Sequence, residues 1–143
     1  MENRAYPYLL APITMFFWGI APVFGKLGLA KVSPYIALVF RSLVVTVILL
    51  IVILVRGELR QLAAIDLKSA TFIGLEGIMA SLLGHFAYYY ALKLGETSRV
   101  VPITSAFPIV TLAVAAIFLT EKITMVKGAG AALIIAGLLL LRW

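Results

Sequence analysis

Cysteine is absent and histidine occurs once, so the chain has no disulfide framework and no thiolate metal site, and a lone His85 does not make a metal centre. Acidic residues are scarce as well. Six Asp and Glu in 143 residues show no spacing that would serve a catalytic triad or a metal, which leaves an enzyme as the least favoured class and implies no cofactor. Charged residues of both signs make up 13% of the chain. What fills their place is apolar: 64% of the residues are hydrophobic and the mean hydropathy is +1.13, too high for a water-soluble domain of this size. Five spans of about 20 residues would take about 100 residues, so there is no room for a separate catalytic or nucleic-acid-binding domain. The excess of twelve Lys and Arg, a net charge of +6, reads as topological anchoring beside anionic lipid, not as a nucleic-acid surface.

Five apolar runs bounded by charges lie at Tyr8 to Leu29, Pro34 to Val55, Ser69 to Leu92, Val100 to Leu119 and Thr124 to Leu141. Each is long enough to cross a bilayer, and hydrocarbon forces backbone hydrogen bonds to close within the segment, so all five read as helices. The alternation of a barrel is missing. Fold class is therefore all-α: a polytopic bundle of five transmembrane helices forming one domain over residues 1–143. Ser33-Pro34, Ser69 and Thr124 are candidate helix starts, while Gly57 and Gly95 follow helices two and three. The first run is too long for a signal peptide and ends in Lys26, so it is expected to remain as helix one. Between Arg56 and Lys68, mixed leucines and charges suggest a short helix lying at the interface.

Five spans put the termini on opposite sides. The basic residues then divide into Arg4, Arg56, Arg60, Lys68, Lys122 and Lys127 on the N-terminal side, against Lys26, Lys31, Lys93, Arg99 and Arg142 opposite. Arg41, in the opposite half of helix two, evens the balance, and the positive-inside rule expresses little preference. Insertion in both orientations follows from that balance, and a single orientation set by the Arg56 to Lys68 cluster is the competing reading.

Trp18-Gly19 with Lys26, Ser33-Pro34 followed by Arg41, and Tyr90-Ala91-Leu92 closing helix three resemble one repeat of the EamA family. Ser105-Ala106-Phe107-Pro108, Leu119-Thr120-Glu121-Lys122 and Gly128-Ala129-Gly130 through Gly137 continue the resemblance to this branch of the drug/metabolite transporter superfamily across essentially the whole chain. Members of the family usually carry two such repeats of inverted topology, with substrate handled between them. A single repeat reproduces that architecture by pairing two antiparallel copies. The resemblance implies secondary transport, with export of a small metabolite or drug-like solute expected, in the cell (inner) membrane. Related small multidrug exporters hold a carboxylate in helix one; this helix one has none.

Ionisable residues inside a span cost a few kcal/mol on insertion scales, so each is a candidate for function. Glu76 and His85 lie about 7 Å to either side of the middle of helix three, and Arg41 about 6 Å from the middle of helix two. Inverting a second copy brings its Glu76 to the depth of Arg41 and His85, where a carboxylate can pair with either. Each residue also has a plainer reading: Lys26 snorkels to the interface, Arg41 forms a structural ion pair, Glu76 is protonated against a neighbouring helix, and His85 packs with one hydrogen bond. On helix four, Thr104, Ser105, Pro108 and Thr111 share a broad face where a permeation path is expected, or where hydroxyls join helices. Helix one, with Pro12, Pro22 and Trp18, is the second choice for lining. Small residues Gly128, Ala132 and Ala136 mark helix five as a packing surface. Tyr88, Tyr89, Tyr90 and Trp143 read as interfacial anchors, with Tyr89 able to turn inward beside His85.

The leading expectation is a transporter working as an antiparallel homodimer by alternating access, with the lipid bilayer, a small-molecule substrate and a second copy as partners. A non-transporting subunit pairing with another repeat is one rival. A flippase for a lipid-linked amphiphile, using Arg41 and Lys26 near a headgroup, is the other.

Overall fold

The computed structural model describes residues 6–119 and 121–141. Every regular element among them is helical. In order these are α1 (Tyr6–Leu29), α2 (Pro34–Arg56), α3 (Leu59–Ala63), α4 (Leu67–Glu76), a π-helical segment (Gly77–Gly84), α5 (His85–Leu94), α6 (Thr97–Thr104), α7 (Phe107–Phe118) and α8 (Met125–Leu140). Four stretches are long and apolar enough to cross a membrane: Leu10–Leu29, Pro34–Arg56, Leu67–Leu94 and Thr97–Phe118. The fifth expected span is shorter. Its helix α8 has 16 residues, about 24 Å of rise against a hydrocarbon core of about 30 Å. Arg4, Thr120, Arg142 and Trp143, which entered the charge balance, the family motif and the aromatic belt, lie outside the described residues.

Helix ends follow local chemistry. Pro34 opens α2 with Ser33 as its N-cap, whose hydroxyl accepts from the Ile36 N–H. Gly57 closes the helix at φ 69°, a left-handed conformation that glycine adopts without a Cβ penalty. Thr124 caps α8 by accepting from the Lys127 N–H at 3.3 Å. The start of the third span differs from expectation. Asp66, not Ser69, is the cap: its Oδ1 accepts from the Ser69 N–H at 3.0 Å, and the helix begins at Leu67. A carboxylate aimed at a helix N-terminus satisfies an orphan donor and meets the positive end of the dipole, so it takes precedence over the hydroxyl three residues later. The short α3 appears in the Arg56 to Lys68 connection as expected, beside an Arg56–Glu58 ion pair at 2.9 Å.

The third and fourth spans are interrupted. Mid-way along the third, Gly77–Gly84 winds as a π-helix. Gly84 permits this, because a Cβ there would lie 3.1 Å from the Met79 carbonyl. The fourth span breaks after Thr104 and resumes at Phe107, since Pro108 has no N–H to offer the Thr104 carbonyl and is accommodated in the first turn of a new helix.

The chain divides into two compact units, Met1–Leu94 and Gly95–Trp143. In the first, α1, α2 and α5 converge on Leu29, Leu38 and Leu92, at 1%, 6% and 0% exposure. Pro22 and Pro34 are buried too, and Gly25 approaches Leu92. Tyr35 extends this core through Phe86 and Tyr90, with ring centroids at 4.7 and 6.1 Å. In the second unit, α7 packs on α8. Most other large apolar side chains are exposed, a surface that suits hydrocarbon, where association rests on close packing and not on the hydrophobic effect.

Candidate functional site

Lys26 is half-buried on the last turn of α1, and its Nζ donates to the carbonyls of Leu92 and Lys93. Lys93 answers by donating to the Val32 carbonyl in the turn between α1 and α2, at 2.8 Å. The Lys26 ammonium thus satisfies carbonyls in the last turn of α5, where the dipole is negative, and Lys93 satisfies a carbonyl of the turn that leads into α2. This clamp gives Lys26 a structural partner that neither snorkelling nor substrate contact had supplied.

His85 opens α5, and its Nδ1 donates to the Ala80 carbonyl at 2.8 Å, an acceptor that the π-helical winding also offers to the His85 backbone N–H. The ring is held against its own helix, with Tyr88 and Tyr89 each 6.3 Å away between centroids. Both tyrosines are half-buried. Trp18 lies on the exposed surface of α1.

Arg41 is half-buried and Glu76 exposed. Among the described residues the ion pairs are Arg56–Glu58, Arg99–Glu96 and Lys127–Glu121, so Arg41 and Glu76 are not brought together within one chain. Gly74, Gly77 and Ser81 turn toward α2 across a groove, and at 100° per residue Glu76 falls on the opposite face of its helix.

The expected path on the fourth span is divided in the structure. Thr104 donates to the carbonyls of Val100 and Val101 at 3.0 and 2.9 Å. Thr111 donates to that of Phe107 at 3.2 Å. Their hydroxyls are engaged by their own helices. Ser105 closes α6 and Pro108 lies in the first turn of α7. A shallow apolar groove of about 360 Å³ runs along α7 beside Thr111.

A larger groove, about 470 Å³, opens between α2 and the third span. Leu38, Val39, Leu43, Ile78 and Leu82 form its walls, Gly74 and Gly77 its floor, and Ser42, Thr46 and Ser81 supply hydroxyls. It forms because α2 meets α5 closely but touches α4 little. Sequence reading had missed these three hydroxyls. The signs were there in Ser42 and Thr46 one turn apart on α2, and in Gly74, Gly77 and Ser81 at spacings of three and four.

Among the described residues, membrane-length helices thus carry Arg41 and Glu76 without an ion-pair partner, beside a groove that bears three hydroxyls. The EamA-like transporter family model matches residues 5–143. The chain belongs to that family. An uncharacterized transporter of Sinorhizobium sp is 29% identical over 92% of both chains. An uncharacterized protein of Methanocaldococcus jannaschii is 29% identical over 93% of both. A probable amino-acid metabolite efflux pump of Salmonella typhimurium is 31% identical over 92% of this chain, which spans 46% of that relative. No solved structure matches the chain. This EamA-like protein is thus an integral, multi-pass membrane protein with transporters as relatives.

Proposed function

We propose that this EamA-like chain is a secondary transporter that exports a small metabolite or drug-like solute across the cell membrane, as an antiparallel homodimer working by alternating access. The observation that carries the reading is the coverage of its relatives. The same stretch of sequence covers 92% of one transporter relative and 46% of an efflux-pump relative, a ratio that supports reading it as the equivalent of one of two repeats. Two copies in opposite orientations supply the symmetry that inverted repeats build into one polypeptide. The even split of basic residues across the membrane supports insertion both ways.

Arg41 and Glu76 support the same reading. A charge in hydrocarbon is retained where it faces a partner or a wet cavity, and among the described residues neither has an ion-pair partner. Inversion puts the partner's Glu76 at the depth of Arg41 and His85. The efflux-pump relatives are named for amino-acid metabolites, which makes that class the first to screen.

Topology is the deciding experiment. A cytoplasm-only and an exterior-only reporter, fused separately to the C-terminus in one host, are both expected to be active. Activity from one reporter alone removes the antiparallel homodimer and leaves a subunit that pairs with an oppositely oriented repeat. Reconstituted protein is then expected to move an amino-acid metabolite down a gradient in liposomes. Headgroup transfer without solute movement would favour the flippase.

A further inference from the structure

We propose that the groove between α2 and the third span is a binding site for an uncharged, apolar-bodied solute carrying hydrogen-bonding groups, such as a blocked amino acid. The proposal rests on the transport reading only for what happens to the solute after it binds.

The first observation is a contrast among hydroxyls. Thr14, Thr71, Thr104 and Thr111 each donate to a carbonyl of their own helix, at 2.7 to 3.4 Å. That is the usual way for a hydroxyl to be satisfied inside a membrane. Among the described residues, Ser42, Thr46 and Ser81 make no such bond, as Ser69, Thr97, Ser98 and Ser105 also do not, but these three alone line one groove together. Leaving a hydroxyl unpaired in hydrocarbon is costly, whereas water or a polar ligand removes the cost.

Depth is the second observation. Thr46 is one residue from the middle of Pro34–Arg56, and Ser81 adjoins the middle of Leu67–Leu94, so both lie within about 2 Å of the span centre. Inverted-repeat transporters hold their solutes at that level. The π-helical winding is centred there too, and single π-turns in helices recur at functional sites.

Shape and chemistry supply the third. Open space surrounds the position a Cβ would take at Gly74 and at Gly77, so the floor is cleared by the absence of side chains. The volume falls within the range of small-molecule sites. No charged residue lines the groove, which disfavours an ionic ligand there. Aliphatic walls with three donor-acceptor hydroxyls fit an aliphatic body with amide or hydroxyl groups.

The test uses the absence of cysteine from the chain. Ser42→Cys, Thr46→Cys and Ser81→Cys each introduce a single thiol in the full-length protein, reconstituted in proteoliposomes and exposed to a charged methanethiosulfonate. Ile48→Cys, on the opposite side of α2, is the control. The groove thiols are expected to react at least tenfold faster than the control, and N-acetyl-leucinamide is expected to slow them. Gly77→Leu should abolish the fast reaction of Thr46→Cys by filling the groove, while Gly77→Ala, which fits the open space, should preserve it. Groove thiols no more reactive than the control would overturn the site and assign the groove to lipid or to a helix of a second copy. Fast labelling that N-acetyl-leucinamide leaves unchanged would overturn the ligand class. A labelled, protected groove in a protein that moves no solute would sink the transport reading alone. Solute movement that survives Gly77→Leu would sink the site alone.

Discussion

Lys26 shows how much one side chain can do at a helix end. Its ammonium serves two carbonyls that close α5, and hydrogen bonds to a charged group contribute about 1.5–3 kcal/mol each when partly shielded. Lys26→Met is therefore expected to cost about 1–3 kcal/mol, read as a lowered Tm of the detergent-solubilised protein, while Lys26→Arg retains most of it. An unchanged Tm in the Met variant would mean that the clamp contributes nothing. Gly84 makes the opposite demand, for the absence of a side chain. With the Met79 carbonyl 3.1 Å from the position of its would-be Cβ, Gly84→Ala is expected to strain or rewind the π-helical segment at a cost of about 1 kcal/mol. Thermal unfolding beside Gly77→Ala, which meets open space, provides the comparison. Neither role is legible in sequence, because Lys26 acts on a helix 66 residues away and the π-winding involves carbonyl positions that no residue pattern encodes.

At the scale of elements, the ends of helices were the most readable features and their interiors the least. Pro34 after Ser33, Gly57 and Thr124 act through neighbours within three or four residues, so local chemistry suffices to place them. Asp66 was overlooked because the apolar run suggested a later start, although it too acts locally. Its hydrogen bonds from Ser69 hold the carboxyl below the usual aspartate range. A depressed carboxyl pKa adds stability that is fully present above the ordinary aspartate value and is lost as pH falls through the folded one. Amide exchange at Ser69 is accordingly expected to be slow at neutral pH and to accelerate at strongly acid pH relative to Asp66→Ala; identical pH dependence in the two proteins would dismiss the cap. The break after Thr104 was readable as well, from Pro108, but not the engagement of the Thr104 and Thr111 hydroxyls within their helices. Rotamers chosen among local acceptors decide that, and a helical wheel does not show them.

For the whole molecule, the unpaired charges of α2 and α4 carry the argument. In an antiparallel pair, the partner's Glu76 lies at the depth of Arg41. Glu76→Arg or Arg41→Glu alone is expected to reduce the dimer fraction several-fold in crosslinking, and the double variant to restore it. A double variant no better than either single one would remove the cross-dimer pairing. Composition and the length of the apolar runs pointed to a membrane, since 64% hydrophobic residues with 13% charged, gathered in uniform runs long enough to span, satisfy their backbone in lipid as helices. Family membership was legible too, because it rests on the order of motifs along one dimension. Tertiary structure decided which polar groups are engaged and which are left open. The lysine clamp ties α1, α2 and α5 together at one end while α2 and α4 stay apart, and that divergence exposes Ser42, Thr46 and Ser81 to a common groove. Such an opening depends on distances between helices far apart in sequence, which no periodicity within one helix contains.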